Sequence, residues 1–465
     1  MSIVTIIGGG FSGALTALHL LRLSTRALGV RVIDRSGRFG PGLPYQTRDP
    51  MHLLNVPAGN MSAWPDRPDH FVEYLRGADR SAGSGDFVPR GIYGDYLESL
   101  VQAAQHEFGE RLSLIPAEVV ATVPGEDDRN HVIRLRDGRE LVSDAVVFAF
   151  GHAPPRRLEL TGGGAGGPTP VLVEDPWNAA AIERLETARH VLLIGTGLTA
   201  LDICLSLLAR NGTVSIDAWS RHGLLPLPHR SPVAHARPDD AGARLLAGPP
   251  TVREYMHRLR AEVRRARLGG NDWRDVVAGL RTWTPALWKR LPSSERARFL
   301  RHAQRYWDVH RHRCAPRAWT MLEDALAAGR VAFSAARILD MAAEGSRWAV
   351  RYAPLHGDGT LRRGFDAVVN CTGPDVDLDR SGNPLVVSLL EAGLMSADPC
   401  RLGVAADEHY RPLRRSGGQS RTWFHVGPGL RASEWEAIAV PELRNHARAV
   451  AHEVLTALGS GSRRS

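Results

Sequence analysis

Lysine is almost missing from this chain of 465 residues: of its 58 lysines and arginines, only Lys289 is a lysine. Schiff-base chemistry therefore has a single candidate side chain. Cysteine is scarce as well. Cys204, Cys314, Cys371 and Cys400 form no CxxC pair and show no metal-ligand spacing, so they read as small buried hydrophobes. No HxxH motif or cysteine cluster suggests a metal. The helical stretch after Gly13 lacks a CxxxxC, which argues against disulfide reductase chemistry. No uninterrupted apolar run is long enough to span a bilayer. The first residues run straight into a strand pattern, with neither a basic n-region nor a cleavage site. The expectation is a reduced, cytoplasmic protein with no membrane partner.

What is present is a chain with 43% hydrophobic and 23% charged residues and a formal net charge of +8. Its length predicts two or three domains. Arginine is spread along the whole chain rather than gathered in one tail. That distribution suits polyphosphate cofactors better than nucleic acid, and no nucleic-acid partner is expected.

Ile3 to Ile7 read as a strand, Gly8-x-Gly10-x-x-Gly13 as a turn opening a helix from Ala14 to Leu23, and Val30 to Ile33 as a second strand ending at Asp34. A lone GxGxxG is a weak signal. In this strand–turn–helix setting, answered by an acid about 20 residues on, it marks a dinucleotide site. The glycines let backbone approach a pyrophosphate at the helix N-terminus, and Asp34 accepts from ribose hydroxyls. The pattern returns at Gly195-x-Gly197-x-x-Ala200, after the strand His190–Ile194 and before the strand Val214–Trp219. Here the second strand leads into Ser220-Arg221 instead of an acid. Arginine beside a hydroxyl suits a 2′-phosphate, so Gly195, Thr196, Gly197, Leu198, Thr199, Ser220 and Arg221 are expected to bind NADPH rather than NADH. Two Asp-Ala-Val-Val strands, at Asp144–Val147 and Asp366–Val369, bracket this second unit, as if one domain were left and re-entered.

Beyond these motifs stand Gly40-Pro-Gly-Leu-Pro-Tyr45, His52-Leu-Leu-Asn55-Val56-Pro-Ala-Gly-Asn-Met61-Ser62, Arg221-His-Gly-Leu-Leu-Pro226, Tyr306-Trp-Asp-Val-His-Arg-His-Arg313 and Trp435-Glu-Ala-Ile-Ala-Val-Pro-Glu442. On these the chain resembles the bacterial FAD/NAD(P)-binding flavoprotein monooxygenases, the family that includes the flavin-dependent L-aspartate N-monooxygenases. The Baeyer–Villiger fingerprint FxGxxxHxxxW is absent. The resemblance implies an α/β fold with two Rossmann-like dinucleotide-binding domains, for FAD and NADPH, and a mainly helical insertion. The expected boundaries are an FAD-binding part at 1–158, an NADPH-binding domain at 159–360 with the insertion at about 240–328, an FAD-binding return segment with the C-terminal helix at 361–458, and a frayed tail at 459–465. FAD contacts implied are Gly8, Gly10, Phe11, Ser12, Gly13, Asp34, Arg35, Tyr45, Asn55, Val56, Met61, Val120, Gly151, Trp435 and Pro441. The Gly40–Ser62 segment wraps the flavin, Trp435 to Pro441 cap it, and a helix N-terminus at Pro441 faces the N1–C2 carbonyl region.

The arginine-rich helical stretch supplies Arg301, Arg305, His310 and Arg311 as substrate candidates, with Arg444 one turn past Pro441 and Trp64 as a pocket wall. Arginines beside aromatics can grip a carboxylate. The same cluster could hold NADPH phosphates or be a solvated face. The resemblance implies an N-hydroxylating monooxygenase that uses O2 through a C4a-hydroperoxyflavin, with no side-chain nucleophile, acting on the amine of a small amino acid such as L-aspartate. An FAD/NAD(P)H oxidoreductase with another acceptor, or a non-enzymatic flavin- and nucleotide-binding regulatory protein, are the alternatives.

Overall fold

The computed structural model describes residues 1–78, 82–160, 170–230, 240–357 and 359–460. Thr161 to Pro170, rich in Gly and Pro, reads as a linker; apart from Pro170 it lies outside the described residues, as does most of the tail expected at 459–465.

The first unit is built on β1 (Ser2–Ile7), β2 (Leu28–Asp34), β3 (Leu112–Pro116) and β7 (Ala145–Phe148), with β4 (Val119–Val123), β5 (His131–Leu135) and β6 (Glu140–Ser143) as a separate antiparallel sheet. The second contains β8 (Val171–Val173), β9 (His190–Ile194), β10 (Ser215–Ser220), β11 (Val331–Glu344), β12 (Arg347–Pro354), β13 (Leu361–Phe365) and β14 (Ala367–Asn370). The chain then returns, and β15 (Trp423–His425) completes the first sheet in the order β15-β7-β1-β2-β3, all parallel. The second sheet runs β13-β12-β11-β10-β9-β14-β8, parallel except for the β11–β13 meander. Strands buried on both faces read as near-continuous apolar runs, and Val191, Leu192 and Leu193 are fully buried. The fold is thus the expected α/β arrangement of two Rossmann-like units.

The two Asp-Ala-Val-Val strands have equivalent places, one per unit. β7 lies beside β1, and β14 lies beside β9. In each the aspartate ties down the start of the central strand: Asp144 accepts from the Ile3 amide at 2.7 Å, and Asp366 from the amides of Arg189 and His190 at 2.9 and 2.8 Å. This corrects the expected boundary. Residues 361–370 belong to the second sheet, and the crossing back lies just after Gly373. There the outgoing and returning segments run side by side, with Pro155 bridged to Pro374 and the Asp375 amide donating to the Pro154 carbonyl at 3.1 Å.

The helical insertion runs from Ala241–Leu246 to Gln304–Arg311; the helix Pro316–Ala327 packs instead on the second Rossmann unit. The pattern from about Ser294 to His312 reads as helix; in the structure it is broken at Ala303 into Ser293–His302 and Gln304–Arg311.

A buried ion pair joins the two units: Arg90, at the start of the helix Arg90–Phe108, meets Asp202 of the helix Leu198–Arg210 at 2.7 Å, with side chains 11% and 8% exposed. Burial pushes Asp202 up to about 6, against the pull of Arg90. Breaking such a pair strands a buried charge, so Arg90→Met should destabilise the protein by about 3–5 kcal/mol. The check is the denaturation midpoint. Arg90→Met combined with Asp202→Leu should recover much of the loss, because no lone charge remains.

Candidate active site

Both glycine turns are forced by close approach. Gly8 has φ +112°, and a Cβ there would lie 2.1 Å from the Ala149 carbonyl oxygen at the end of β7. Gly195 has φ +119°, with its Cβ position 2.3 Å from the Cys371 oxygen just past β14. Only glycine accepts that combination. The helices that follow, Phe11–Leu23 and Leu198–Arg210, start at Gly10 and Gly197 with no side-chain cap, which leaves their first amides for a ligand.

Asp34 is engaged within its own turn. Its Oδ2 accepts from the Gly9 amide at 2.7 Å, and its Oδ1 from the amide and hydroxyl of Ser36 at 2.8 and 2.6 Å, which fixes the turn. In the second unit Thr196 Oγ1 donates to the Leu224 carbonyl at 2.6 Å and pairs with Ser220 Oγ at 2.9 Å, while Ser220 also accepts from the Gly223 amide. The Ser220 hydroxyl is thus engaged in shaping the turn, and the neighbouring Arg221 is exposed. Burial lowers the His222 pKa, as do the nearby charges of Arg305 and Arg221, in that order. Arg305 therefore sits close to the end of β10.

One cavity holds about 900 Å³. Four distant stretches of chain meet there: Tyr45 and Asn55–Met61 from the first unit, Leu198 and Thr372 from the second, the insertion, and Ile438, Ala439 and Val440 at the start of the helix Val440–Ser460. His152 and Val376 also line a second cavity of about 570 Å³, bordered by Arg35 and Gly151, so the two form one long cleft.

Charge in the main cavity is strongly one-sided. Arg230, Arg274, Arg281, Arg311, Arg313 and Arg431 line it, against Asp275 and Asp308. Its histidines are neutral: burial pushes His152 and His229 down to about 4 and His312 to about 3. Several arginines are spoken for. Arg230 binds Asp275, Arg281 binds Glu442, and Arg311 grips Glu436 at 2.9 and 3.2 Å. Among the described residues Arg313 and Arg431 have no ion-pair partner, and each has a buried Nε with no acceptor. Burial, then Arg311 and Arg274, lower Arg313 to about 10, so it remains charged at neutral pH.

The expected substrate residues divide. Arg311 lines the cavity. Arg301 is exposed, and its carbonyl accepts from Arg305 Nη1 at 2.9 Å. His310 packs edge-on against Trp273 and hydrogen-bonds the Tyr306 carbonyl. Arg444 turns away and donates to the Ser62 carbonyl at 2.9 Å. Trp64 is 3% exposed, in the first unit's core with Arg22 4.0 Å above its ring. None of these five borders the cavity. Trp435 does not cap it either. Its ring lies 4.6 Å from that of Trp288, tilted by 36°, and faces a small apolar pocket of about 80 Å³, while Val440, just before Pro441, borders the main cavity. Val120 lies on β4, away from both parts of the cleft. Arg230, Arg274, Arg281, Asp308 and Arg431 are not legible as site residues because their convergence is tertiary, whereas Arg313 belongs to the arginine-rich stretch that the sequence marks.

Residues 5–153 match the model of a family described as FAD-NAD(P)-binding. No curated protein matches the chain. Among solved structures, the chain is similar to an ornithine N-hydroxylase from Kutzneria sp. 744, with TM-score 0.66, 14% identity and 99% of each chain covered. It is similar to the ornithine hydroxylase of Pseudomonas aeruginosa, at TM-score 0.66 and 18% identity, over 98% of this chain and 100% of the other. The cadaverine monooxygenase of Erwinia amylovora, solved with FAD bound, gives TM-score 0.64 at 13% identity over 97% of this chain and 94% of its own. At such identities the likeness is one of fold, and it extends over the whole chain.

Proposed function

We propose that the chain is an FAD- and NADPH-dependent monooxygenase that hydroxylates the amine of a small carboxylate-bearing amino acid, with L-aspartate as the best single choice. The observation that carries this reading is the cavity of about 900 Å³ in which the flavin-wrapping segment, the edge of the second Rossmann unit and the arginine-rich insertion converge. FAD fits the first unit, where the uncapped helix at Gly10 suits its pyrophosphate. NADPH fits the uncapped helix at Gly197, with Arg221 and the nearby Arg305 toward the 2′-phosphate. FAD held there would supply the redox chemistry that couples NADPH to O2, so no side-chain nucleophile would be needed. The protein's part is to enclose the site and orient the amine.

Ornithine and cadaverine, the substrates named for the three similar structures, each carry two amino groups. A cavity lined by six arginines and two aspartates, one of them held by Arg230, suits an anion better. The test is an NADPH-oxidation screen over amino acids and polyamines, with hydroxylamine product assayed. L-Aspartate or a related acid should stimulate oxidation and yield hydroxylamine, and cadaverine should not. Hydrogen peroxide formed stoichiometrically with every amine would leave a simple oxidase or oxidoreductase, and no NADPH turnover at all would leave a regulatory nucleotide-binding protein.

Cofactor choice has its own check. Arg221→Ala should raise the NADPH KM with little change for NADH. Loss of one charge-assisted contact of about 1.5–3 kcal/mol corresponds to about ten- to a hundred-fold. An unchanged ratio between the cofactors would assign the 2′-phosphate elsewhere, with Arg305 the next residue to replace.

A further inference from the structure

Asp308 stands apart from the other carboxylates around the cavity. It projects from the helix Gln304–Arg311. Asp275 is held by Arg230 and also accepts from the Asp272 amide. Glu436 and Glu442, behind the wall, are held by Arg311 and Arg281. Among the described residues, Asp308 receives only Gln304 Nε2, at Oδ2 and 3.2 Å away. Its Oδ1 is buried with no hydrogen-bond partner, and the nearest imidazole nitrogen, His312 Nε2, is 3.8 Å off. A carboxylate oxygen left without a donor in a cavity so rich in guanidinium is costly unless something arrives to satisfy it. His312, kept neutral by burial, cannot serve as its counterion.

We propose that Oδ1 of Asp308 receives the substrate's ammonium group, hydrogen-bonding it and taking one of its protons. This assignment rests on the N-hydroxylase reading above and deepens it. An ammonium nitrogen has no lone pair, so a nitrogen–oxygen bond can form only after one proton has left. In this step one N–H bond breaks, its electron pair stays on nitrogen, and an O–H bond forms on Oδ1; no oxidant or reductant takes part. The surroundings suit an acceptor. Burial raises the Asp308 pKa, Arg431 and the Gln304 hydrogen bond pull it down, and Glu436 pushes it up. Carboxylates of the same substrate would meet Arg313 and Arg431, the cavity's arginines without ion partners, so one molecule would satisfy both unmatched ends.

The FAD-loaded enzyme should be titrated calorimetrically with L-aspartate and with succinate, which has the same two carboxylates and no amine. Wild type is expected to bind L-aspartate about ten- to a hundred-fold more tightly than succinate. Asp308→Asn should bind the two within about two-fold of each other, with succinate affinity close to that of wild type. Asp308→Ser serves as a second variant if Asp308→Asn fails to accumulate as folded, flavin-bearing protein. If the variants keep the wild-type preference for L-aspartate, the amine is received elsewhere and the assignment falls while the N-hydroxylase reading stands. If wild type hydroxylates no amine in the screen, that reading fails and Asp308 falls with it.

Discussion

Gly10→Val protein is expected to purify colourless. Gly10 has φ −72° and ψ −169°, extended backbone that any residue adopts, so strain is not the reason. The reason is what lies opposite. A Cβ on Gly10 would sit 3.1 Å from Gly42 Cα and 3.7 Å from Gly42 N, while one on Gly42 would come within 3.2 Å of Gly10 Cα. The helix N-terminus and the segment leading to Tyr45 therefore touch through two bare glycines. The motif alone suggests a side chain pressing on phosphate; the structure has it pressing on backbone that helps shape the cleft. A valine must displace the 40–45 segment, and Tyr45, which lines the cavity, goes with it. Overpacking of this kind costs about 1–3 kcal/mol, and taken from the holo state alone it weakens FAD binding by about five- to a hundred-fold. The check is the ratio of flavin to protein absorbance after purification, with circular dichroism to establish that the fold persists. Gly197→Val is the matched control. No atom lies within 4 Å of a Cβ there, so that protein should keep its flavin and lose NADPH affinity. A fully yellow Gly10→Val protein would remove the flavin cradle from this turn.

That contrast also marks how far the sequence can be read. Both Rossmann units are legible, because the GxGxxG requirement is local: backbone that passes within van der Waals contact of another strand's carbonyl leaves no room for a Cβ, and glycine is the only record of it. The repeated Asp-Ala-Val-Val is legible as a pair but not in its meaning. The same four letters start β7 in one sheet and β14 in the other, and only pairing with β1 or β9 tells them apart. Hence the sequence pattern puts the return to the first unit too early, at 361 rather than just after Gly373. The break at Ala303 carries no glycine or proline to announce it. The cavity is the least legible part. Arg311 and Arg313 sit beside Arg431 and Arg281 only because the insertion folds back over the start of the helix Val440–Ser460, where Arg281 clasps Glu442 and Lys289 meets Glu434. Large aromatics mislead in the opposite direction: Trp64 and Trp435 flank the motifs yet are spent on packing.

Arg313→Met is expected to make the ligand-free protein more stable and the enzyme much worse. Arg313 is 8% exposed, has no ion partner among the described residues, and lies near Arg311, Arg274 and Arg230. Its pKa of about 10 is depressed from the ordinary arginine value, so the folded state carries the cost of the charge at every pH below about 10. A methionine of similar length removes that cost, and the denaturation midpoint should rise. Asp272 offsets the charge only in part, against Arg311, Arg274 and Arg230, which leaves a ligand anion to complete the compensation. If that ligand is the substrate carboxylate, truncating one side of a buried charge pair costs about 2–5 kcal/mol, which corresponds to a loss of about thirty- to several thousand-fold in kcat/KM for L-aspartate. Tracking KM for the amine and for NADPH separately settles which anion Arg313 serves. A rise confined to the amine places the substrate's carboxylate there, and a rise confined to NADPH hands Arg313 to the cofactor's phosphates. A variant that is less stable than wild type and unchanged in both constants would make Arg313 part of the scaffold. Only a group kept charged for a ligand should gain stability and lose affinity in the same substitution.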